Sequence, residues 1–410
     1  MSEFDAAVVG SGPNGLAAAV ELIRSGRRTL LLEAEDEIGG GTRTAELTLP
    51  GFRHDVCSAI HPAAVASPFF NEIGLEVDWV QPPIPFTHPL DNGAVAALHR
   101  SLKETAAGLG EDASRYERLM DPFVDRMEEM IQVALGPVTP IPENIGAFAR
   151  LALAGGMPAA VIARWFSTEA GKALMAGISA HAIAPFHNPA TAAVGLMLAA
   201  IGHSHGWPLA RGGSQAISAA LAAQFLELGG EIETGVRVTS VDDVAADMVF
   251  LDVMPPQARE MSGNRLSPST ERRLSRWKPG PGIFKLDWAL DSPIPWADAL
   301  SHRAATVHVG GRYPEVAAAE RAVSRGEHPK RPFVLLAQQT LFDDTRAPAG
   351  KHTAWGYCHV PNGSDVDMTD AIEQQIERFA PGFRDVVLER RATTAVQYQR
   401  YNPNNIGGDI

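Results

Sequence analysis

The chain has 410 residues, of which 45% are hydrophobic and 20% are charged, a composition typical of a soluble globular protein with two or three domains. Its formal net charge of −13 argues against nucleic acid as a partner and against strong electrostatic docking to an anionic membrane. The two cysteines, Cys57 and Cys358, are too few for a zinc ribbon and form no C-x-x-C pair, so we expect two buried, reduced thiols in a cytoplasmic protein.

The amino terminus and the longest apolar stretch bear on membrane association. Residues 1–5 are acidic and run directly into an apolar segment, a pattern that does not fit a signal peptide. The longest apolar stretch, residues 190–202, is shorter than the roughly 18 residues that a membrane-spanning helix needs. We therefore expect no transmembrane segment, and peripheral contact with a membrane stays open.

Residues 4–33 form the most informative stretch of the chain. An apolar strand over residues 4–9 leads into a G-x-G-x-x-G sequence at 10–15, and a helix-prone run over 16–23 follows. A second strand, 29–32, ends in Glu33. Strand, glycine turn, helix, strand and acid together fill the span of about 30 residues that one dinucleotide-binding βαβ unit occupies.

Each glycine of this unit has a mechanical reason. Gly10 permits a tight turn, Gly12 lets a pyrophosphate approach the main chain, and Gly15 lets helix and strand pack closely. The helix amino terminus offers free N–H groups and a partial positive charge to phosphates. Glu33 stands close to the roughly 20 residues past the turn at which an acid meets the ribose hydroxyls. A plain glycine turn in an α/β core is the alternative, and the agreement of all the parts favours dinucleotide binding.

The residues after Glu33 indicate which dinucleotide binds. Six positions further on, the chain reads Gly39-Gly40-Gly41-Thr42-Arg43-Thr44, and Gly51-Phe52-Arg53-His54-Asp55 follows. An acid six residues before a Gly-Gly doublet, with a Gly-Phe-x-x-Asp stretch after it, resembles the FAD-binding start of the amine oxidase and phytoene desaturase superfamily. The form with three glycines and Thr-Arg-Thr resembles the phytoene dehydrogenase-related oxidoreductases in particular, and the resemblance covers essentially the whole chain.

This resemblance implies an α/β fold in which a Rossmann-like FAD-binding domain of the amine oxidase type accompanies a helical and mixed-sheet substrate domain. The cofactor-binding residues expected from the βαβ unit and from the resemblance are Gly10, Ser11, Gly12, Pro13, Asn14, Gly15, Glu33, Ala34, Gly40, Gly41, Thr42, Arg43 and Val238. The family usually carries arginine directly after the doublet, where this chain has Gly41. Either Arg43 takes over from that arginine, or backbone amides alone hold the pyrophosphate.

Residues 61–206 change from a proline-punctuated to a helical pattern. Short strands are predicted at 77–80 and 95–99, and the apolar residues of 112–133 recur at helical spacing. Residues 145–205 are rich in alanine and methionine, which predicts a helical bundle packed on itself, a helical cap around an apolar substrate cavity, or both.

After residue 206 the chain returns to the pattern of a nucleotide-binding domain. A helix through Leu228 and a Gly-Gly turn precede a strand that we expect to reach Val238, and an apolar strand follows at 248–254. In the superfamily that the chain resembles, these elements return to the FAD sheet, and the backbone of the valine at the position of Val238 meets the adenine. An ordinary α/β unit without cofactor contact is the alternative for these residues.

Residues 259–400 are predicted to form a mixed or antiparallel sheet. Alternation with a period of two marks a strand over 283–290, and Lys285 on that strand is expected to point outward rather than towards a flavin. Further strands are predicted at 306–309, 333–338 and 353–360, and a helix at 368–379.

These elements predict a division of the chain into three regions and a terminal piece. The expected bounds are 1–80 with 207–258 for a discontinuous FAD-binding domain, 81–206 for a mainly helical cap, and 259–400 for the substrate-domain sheet. Residues 401–410 resemble the start of the segment that closes the flavin pocket in the family, and the rest of that segment is not present in these 410 residues.

The sequence therefore predicts an FAD-dependent oxidoreductase, similar to dehydrogenases and desaturases, that transfers a hydride from an apolar small molecule to the flavin. Its electron acceptor and its oligomeric state are not indicated. No catalytic side chain is predicted, because no Ser-His-Asp, Cys-His or paired-carboxylate arrangement stands out, and His203 and His205 lack a third ligand for a metal. An NAD(P)-dependent dehydrogenase and a non-catalytic nucleotide-binding or scaffold protein are the alternatives.

Overall fold

The computed structural model describes residues 3–136 and 144–410. Its strands are β1 (Phe4–Val9), β2 (Thr29–Leu32), β3 (Thr44–Glu46), β4 (Arg53–Asp55), β5 (Trp79–Val80), β6 (Ile84–Pro89), β7 (Val95–Leu98), β8 (Leu209–Ala210), β9 (Glu231–Glu233), β10 (Ala246–Leu251), β11 (Gly282–Leu290), β12 (Ala304–Val309), β13 (Val334–Ala337), β14 (His352–Val360) and β15 (Val387–Thr393). Its helices are α1 (Pro13–Arg24), α2 (Pro62–Val65), α3 (Pro68–Glu72), α4 (Leu102–Gly108), α5 (Ala113–Val124), α6 (Met127–Leu135), α7 (Ile145–Gly156), α8 (Ala159–Ala163), α9 (Glu169–Ser179), α10 (Thr191–Ser204), α11 (Gln215–Glu227), α12 (Pro255–Ser262), α13 (Pro268–Leu274), α14 (Tyr313–Ser324), α15 (Thr369–Phe379) and α16 (Ala395–Tyr401).

A four-stranded sheet in the order β10-β1-β2-β9 forms the nucleotide-binding half, and all its pairings are parallel. Alternate residues of β1 point to opposite faces. Ala6 and Val8 pack with α1 and α11 on one face, whereas Ala7 and Val9 pack with Met261 of α12 on the other. Both faces are therefore covered, as a parallel sheet requires.

The strand predicted to reach Val238 ends earlier, at Glu233. Gly235 has a φ of 71°, and its N–H donates to the carbonyl of Glu35. The chain therefore leaves the sheet after β9, and Val238 lies in an irregular segment beyond the edge strand.

A seven-stranded sheet in the order β15-β11-β14-β13-β12-β6-β7 forms the second half. The pairing of β6 with β12 is parallel and the other pairings are antiparallel, so the sheet is mixed. It takes β6 and β7 from the part of the chain that precedes the helical region. The helices α4 to α10 pack around a separate apolar core that includes Tyr116, Met120 and Leu196.

The two faces of the seven-stranded sheet differ in chemistry. Phe284, Leu286 and Trp288 of β11 pack with α15 in an apolar core. The opposite face carries Lys285 and Asp287, and both are completely buried. The prediction that Lys285 points outward is wrong, because a period of two shows which residues share a face but not whether that face meets water or the other half of the molecule.

Buried histidines make the stability of this fold depend on pH. Burial lowers the pKa of His88 and of His203 to about 4, whereas an unfolded histidine takes up a proton below about 6.5. Between these values the unfolded chain binds more protons, so the stability that these residues contribute is present above pH 6.5 and is lost as the pH falls towards 4. Burial raises the pKa of Asp287 to about 6. The stability that Asp287 contributes is therefore present below about pH 4 and is lost as the pH rises to about 6, which is opposite to the effect of the histidines.

We expect His203→Gln to make the apoprotein less sensitive to acid. Glutamine can keep a hydrogen bond to the Tyr116 hydroxyl, which lies 2.8 Å from Nε2 of His203, but it does not titrate. Urea unfolding near pH 7 and near pH 5 should show that the variant loses about 2 kcal/mol less than the parent over this interval. His187→Gln, which changes an exposed histidine, is the control. An unchanged pH dependence in His203→Gln would contradict this account.

Candidate active site

A cavity of about 580 Å³, here called the nucleotide cavity, opens at the carboxyl ends of β1, β2 and β10. Carboxyl ends of parallel strands are where ligands bind in sheets of this kind. The predicted cofactor residues that line it are Gly10, Ser11, Gly12, Pro13, Asn14, Glu33, Ala34, Gly40, Gly41, Arg43 and Val238. The two remaining predicted residues lie behind its wall, where Gly15 is inside α1 and Thr42 is buried with its hydroxyl donating to the carbonyl of Gly39.

The glycines of the turn leave different amounts of space. A Cβ atom on Gly15 would lie 2.0 Å from the carbonyl oxygen of Gly10, which no side chain can tolerate. A Cβ atom on Gly12 would meet only a carboxylate oxygen of Asp252, at 3.1 Å. Gly15 is therefore needed for packing, whereas Gly12 keeps the cavity wall bare.

Glu33 is held firmly at the end of β2. One carboxylate oxygen accepts from the N–H of Ser11 at 3.0 Å and from the hydroxyl of the same residue. The other accepts from the N–H of Glu35 at 3.0 Å and lies 3.4 Å from Nη2 of Arg43. The carboxylate is buried in the wall of the nucleotide cavity, in the place where a ribose acceptor is expected.

Arg43 is also part of this wall, and its guanidinium group is largely occupied. It donates from Nε and Nη2 to the carbonyl of Glu37 and lies 5.7 Å from the ring centre of Tyr401. This arrangement holds the loop after β2 in place. Because the guanidinium group is occupied there, it favours backbone amides rather than Arg43 as the groups that hold the pyrophosphate.

Asp252, Asn404 and Tyr401 are among the residues of the nucleotide cavity that were not predicted. Asp252, after β10, accepts from the N–H of Gly15 at 2.9 Å, and burial raises the pKa of its carboxyl group. Asn404 donates to the carbonyl of Asp252, and Tyr401 lines the wall. The sequence predicts the strand that precedes Asp252, but only its parallel pairing with β1 shows that the end of β10 lies beside the glycine turn. No local pattern indicated Asn404 or Tyr401.

A second cavity, of about 380 Å³ and here called the apolar cavity, lies between the helical region and the seven-stranded sheet. Its walls are formed mainly by the segment that precedes and includes α2 and by the second face of the sheet. The residues that line it are Cys57, Ser58, Ala59, Ile60, His61, Pro62, Ala63, Ala64, His181, Leu198, Trp207, Ile283, Thr306, Leu335, Trp355, Tyr357, Tyr398 and Ile410. No aspartate, glutamate, lysine or arginine side chain is among these described residues.

The two cysteines differ in burial, because only one of them lines the apolar cavity. Cys358 is buried in the core, as expected, but Cys57 is only half buried and lines the cavity. Burial nevertheless raises the pKa of the Cys57 thiol, so it stays protonated near neutral pH.

A third cavity, of about 420 Å³, lies next to the other two. It shares Arg43 and Tyr401 with the nucleotide cavity and Tyr398 with the apolar cavity. Single side chains therefore take part in the walls of neighbouring cavities.

Two buried ion pairs lie beside the apolar cavity. Nζ of Lys285 is 2.6 and 2.5 Å from the two carboxylate oxygens of Asp287, and Arg346 is 2.6 Å from Asp55. His54 lies 3.6 Å from Asp287, and burial together with the two nearby cations lowers its pKa to about 3, so it is neutral. Lys285 and Arg346 are thus each paired with a carboxylate, and Arg346 also lies 3.8 Å from the buried carboxylate of Asp343.

A family model described as flavin containing amine oxidoreductase matches residues 14–253, more than half of the chain. Pyridine nucleotide-disulfide oxidoreductase domain-containing protein 2 of Rattus norvegicus is 24% identical over 480 residues, which cover 97% of this chain and 82% of that protein. Phytoene dehydrogenase of Streptomyces griseus is 25% identical over 411 residues, which cover 94% and 78%.

Solved structures confirm the predicted fold class. An oxidoreductase from Methanosarcina mazei has a TM-score of 0.67 at 18% identity, and the match covers 95% of this chain and 87% of that one. The family match confirms the predicted FAD and the predicted enzymatic, oxidoreductase character. Within residues 3–136 and 144–410, no group of three or more His, Cys, Asp or Glu residues is arranged to hold a metal ion. None of the helices in these ranges has the length and hydrophobicity that crossing a bilayer requires.

We expect alanine substitutions at Gly12 and Gly15 to have different effects. Gly15→Ala should destabilise the fold, by about 1–3 kcal/mol or more, because its Cβ overlaps a backbone oxygen. Gly12→Ala should leave the unfolding free energy of the apoprotein within about 1 kcal/mol of the parent but lower FAD affinity at least about tenfold. Urea unfolding and FAD titration measure the two quantities. Gly108→Ala, whose Cβ meets nothing within 4 Å, is the control, and tight FAD binding by Gly12→Ala would count against the site.

We expect Glu33→Gln to weaken FAD binding by about ten- to hundredfold. A hydrogen bond to a charged acceptor contributes about 1.5–3 kcal/mol, and glutamine offers the ribose an uncharged acceptor instead. Fluorescence titration of the apoprotein with FAD gives the affinity. Glu21→Gln, which neutralises an exposed acid on α1 outside the nucleotide cavity, should bind FAD like the parent. Equal affinities for all three proteins would refute the role of Glu33.

Proposed function

The chain belongs to the flavin containing amine oxidoreductase family, and we propose that this FAD-dependent oxidoreductase removes a hydride from an uncharged, mainly apolar small molecule in the apolar cavity. The observation that carries the proposal is the composition of the cavity wall. No described side chain that lines it is ionised, because its histidines and its thiol are held neutral by burial. Burying an unpaired ammonium group in such surroundings costs several kcal/mol, so the cavity favours a neutral ligand.

In this proposal the chain binds and orients the two reactants. The glycine turn at 10–15 and the amino terminus of α1 hold the diphosphate of FAD, Glu33 accepts from its ribose, and the backbone at Val238 lies beside the adenine. FAD supplies the hydride acceptor. The walls of the apolar cavity exclude water from the reacting carbon, which protects the transferred hydride.

The relatives are compatible with a neutral substrate. Phytoene dehydrogenase of Streptomyces griseus is named for a substrate that is a hydrocarbon. The description of the matching family instead suggests an amine substrate. An amine could enter only as its free base, because within the described wall no carboxylate side chain is available to pair with an ammonium group.

We expect neutral molecules rather than amines to reduce the holoenzyme. Limonene, perillyl alcohol and cyclohexylamine have comparable six-membered rings and differ in polarity and charge. Each is mixed anaerobically with the FAD-loaded protein, and the loss of flavin absorbance is followed, so that no electron acceptor is needed. Bleaching by a neutral compound at least about tenfold faster than by cyclohexylamine is the expected result. Faster bleaching by the amine would reject the proposed substrate class.

A further inference from the structure

His61 occupies a fixed position in the wall of the apolar cavity. It directly precedes Pro62, the first residue of α2, and its main-chain N–H donates to the carbonyl of Pro208 at 2.8 Å. Its imidazole ring is more than nine-tenths buried and lines the cavity. The sequence alone could not select it from the other histidines.

The hydrogen bonds around His61 determine its tautomer. The hydroxyl of Ser214 lies 2.5 Å from the carbonyl oxygen of Ser58 and 2.8 Å from Nε2 of His61. A carbonyl oxygen only accepts, so the single hydroxyl proton of Ser214 is donated to Ser58. Nε2 of His61 must therefore carry the proton and donate to Ser214, which leaves the lone pair of the neutral ring on Nδ1.

This lone pair has only a weak partner. Nδ1 of His61 is 3.5 Å from the hydroxyl of Ser58, at the limit of a hydrogen bond. Ser58 also lines the apolar cavity, so the weak partner of Nδ1 belongs to the cavity wall. An acceptor in these surroundings gains free energy when a ligand brings a better donor.

Two protonated groups of the cavity, the Tyr398 hydroxyl and the Cys57 thiol, are poorer acceptors than Nδ1 of His61. The Tyr398 hydroxyl donates to the carbonyl of Val56, and burial raises the pKa of Tyr398 and of Cys57, so both keep their protons. Nε2 of His181 is 3.2 Å from Nε2 of His308 and is engaged there. Indole groups such as that of Trp355 only donate.

Burial keeps the imidazole of His61 neutral. It lowers the pKa of His61 to about 4, Asp55 opposes this effect, and Arg346 adds to it. At neutral pH the ring is therefore unprotonated, and its free lone pair can accept a hydrogen bond.

We infer that Nδ1 of His61 accepts the substrate's proton and that the substrate carries a hydroxyl group on the carbon that is oxidised. This inference rests on the proposed function. The O–H bond breaks and its proton passes to Nδ1, while the C–H bond of the same carbon breaks and its electron pair leaves as hydride to FAD, so an alcohol becomes a carbonyl compound. A weak base is sufficient, because the hydroxyl proton becomes strongly acidic as the hydride departs.

The test uses the FAD-loaded protein and two probes of one skeleton, perillyl alcohol and limonene, which differ by a hydroxyl group. His61→Gln keeps an N–H group for Ser214 and an amide oxygen that can accept a hydrogen bond, but this oxygen cannot take up a proton, whereas His61→Leu removes the acceptor altogether. The parent should bind perillyl alcohol about two- to tenfold more tightly than limonene, and His61→Leu should lose this preference. His187→Gln, at an exposed position, should retain it. Anaerobic bleaching by perillyl alcohol should be about 100-fold or more slower in His61→Gln.

An NMR measurement, which needs no turnover, separates the claim about the tautomer of His61 from the claim about the reaction. Nitrogen-15 NMR of histidine-labelled holoenzyme should show a proton on Nε2 of His61 and none on Nδ1, and perillyl alcohol, but not limonene, should shift the Nδ1 signal. A proton on Nδ1, or an alcohol preference that persists in His61→Leu, overturns the inference. If His61→Leu does not fold, Ser214→Ala replaces it and should reduce the alcohol preference by releasing the tautomer. Failure of both probes to bleach the parent rejects the proposed function, whereas the NMR result still decides the role of His61.

Discussion

The fold depends on one buried carboxylate that ties distant parts of the chain together. Asp55 accepts from the guanidinium group of Arg346 at 2.6 Å, from the N–H of Ser214 at 2.7 Å and from the hydroxyl of Thr44 at 3.0 Å, while Lys285 donates to its main-chain carbonyl. Burial alone would raise the pKa of Asp55, but Arg346 and these hydrogen bonds hold it below its ordinary value. Removing one partner of such a pair typically costs about 3–5 kcal/mol, so the nucleotide-binding half and the seven-stranded sheet are firmly joined here.

The segment that follows Asp55 is held in place by the same contacts, and it contributes much of the wall of the apolar cavity. Cys57, Ser58 and His61 are fixed between Asp55 on one side and α2 on the other. Ser214, which orients His61, is itself bonded to Asp55 through its N–H. The same charge cluster thus holds the two halves together and sets the tautomer of the cavity histidine, so changes in it should affect stability and chemistry together.

The parts of the molecule that could be predicted from sequence are those with local signals. The βαβ unit is specified by its glycines, its small-residue helix and Glu33, which lie within one short stretch, and the strands of the second sheet follow from their alternation. Asp252, Asn404 and His61 could not be predicted, because each gains its place from a partner more than a hundred residues away. Lys285 shows the same limit, since the alternation around it was correct but the burial of its face depends on Asp55. The sequence predicted a strand that reaches Val238, because an apolar pattern does not show that Gly235 adopts a positive φ and turns the chain away.

The two-faced construction of the seven-stranded sheet has a consequence for how the enzyme can change. Thr306, Leu335, Trp355 and Tyr357 line the apolar cavity, whereas their neighbours in the strands point into the core beneath α15. Because successive strand residues project in opposite directions, a substitution on the cavity side does not change the side chains on the core side. Directed mutagenesis of these four residues therefore changes the cavity wall and leaves the side chains of the core beneath α15 as they are, whereas Lys285 on the same face has to be kept because it holds Asp55.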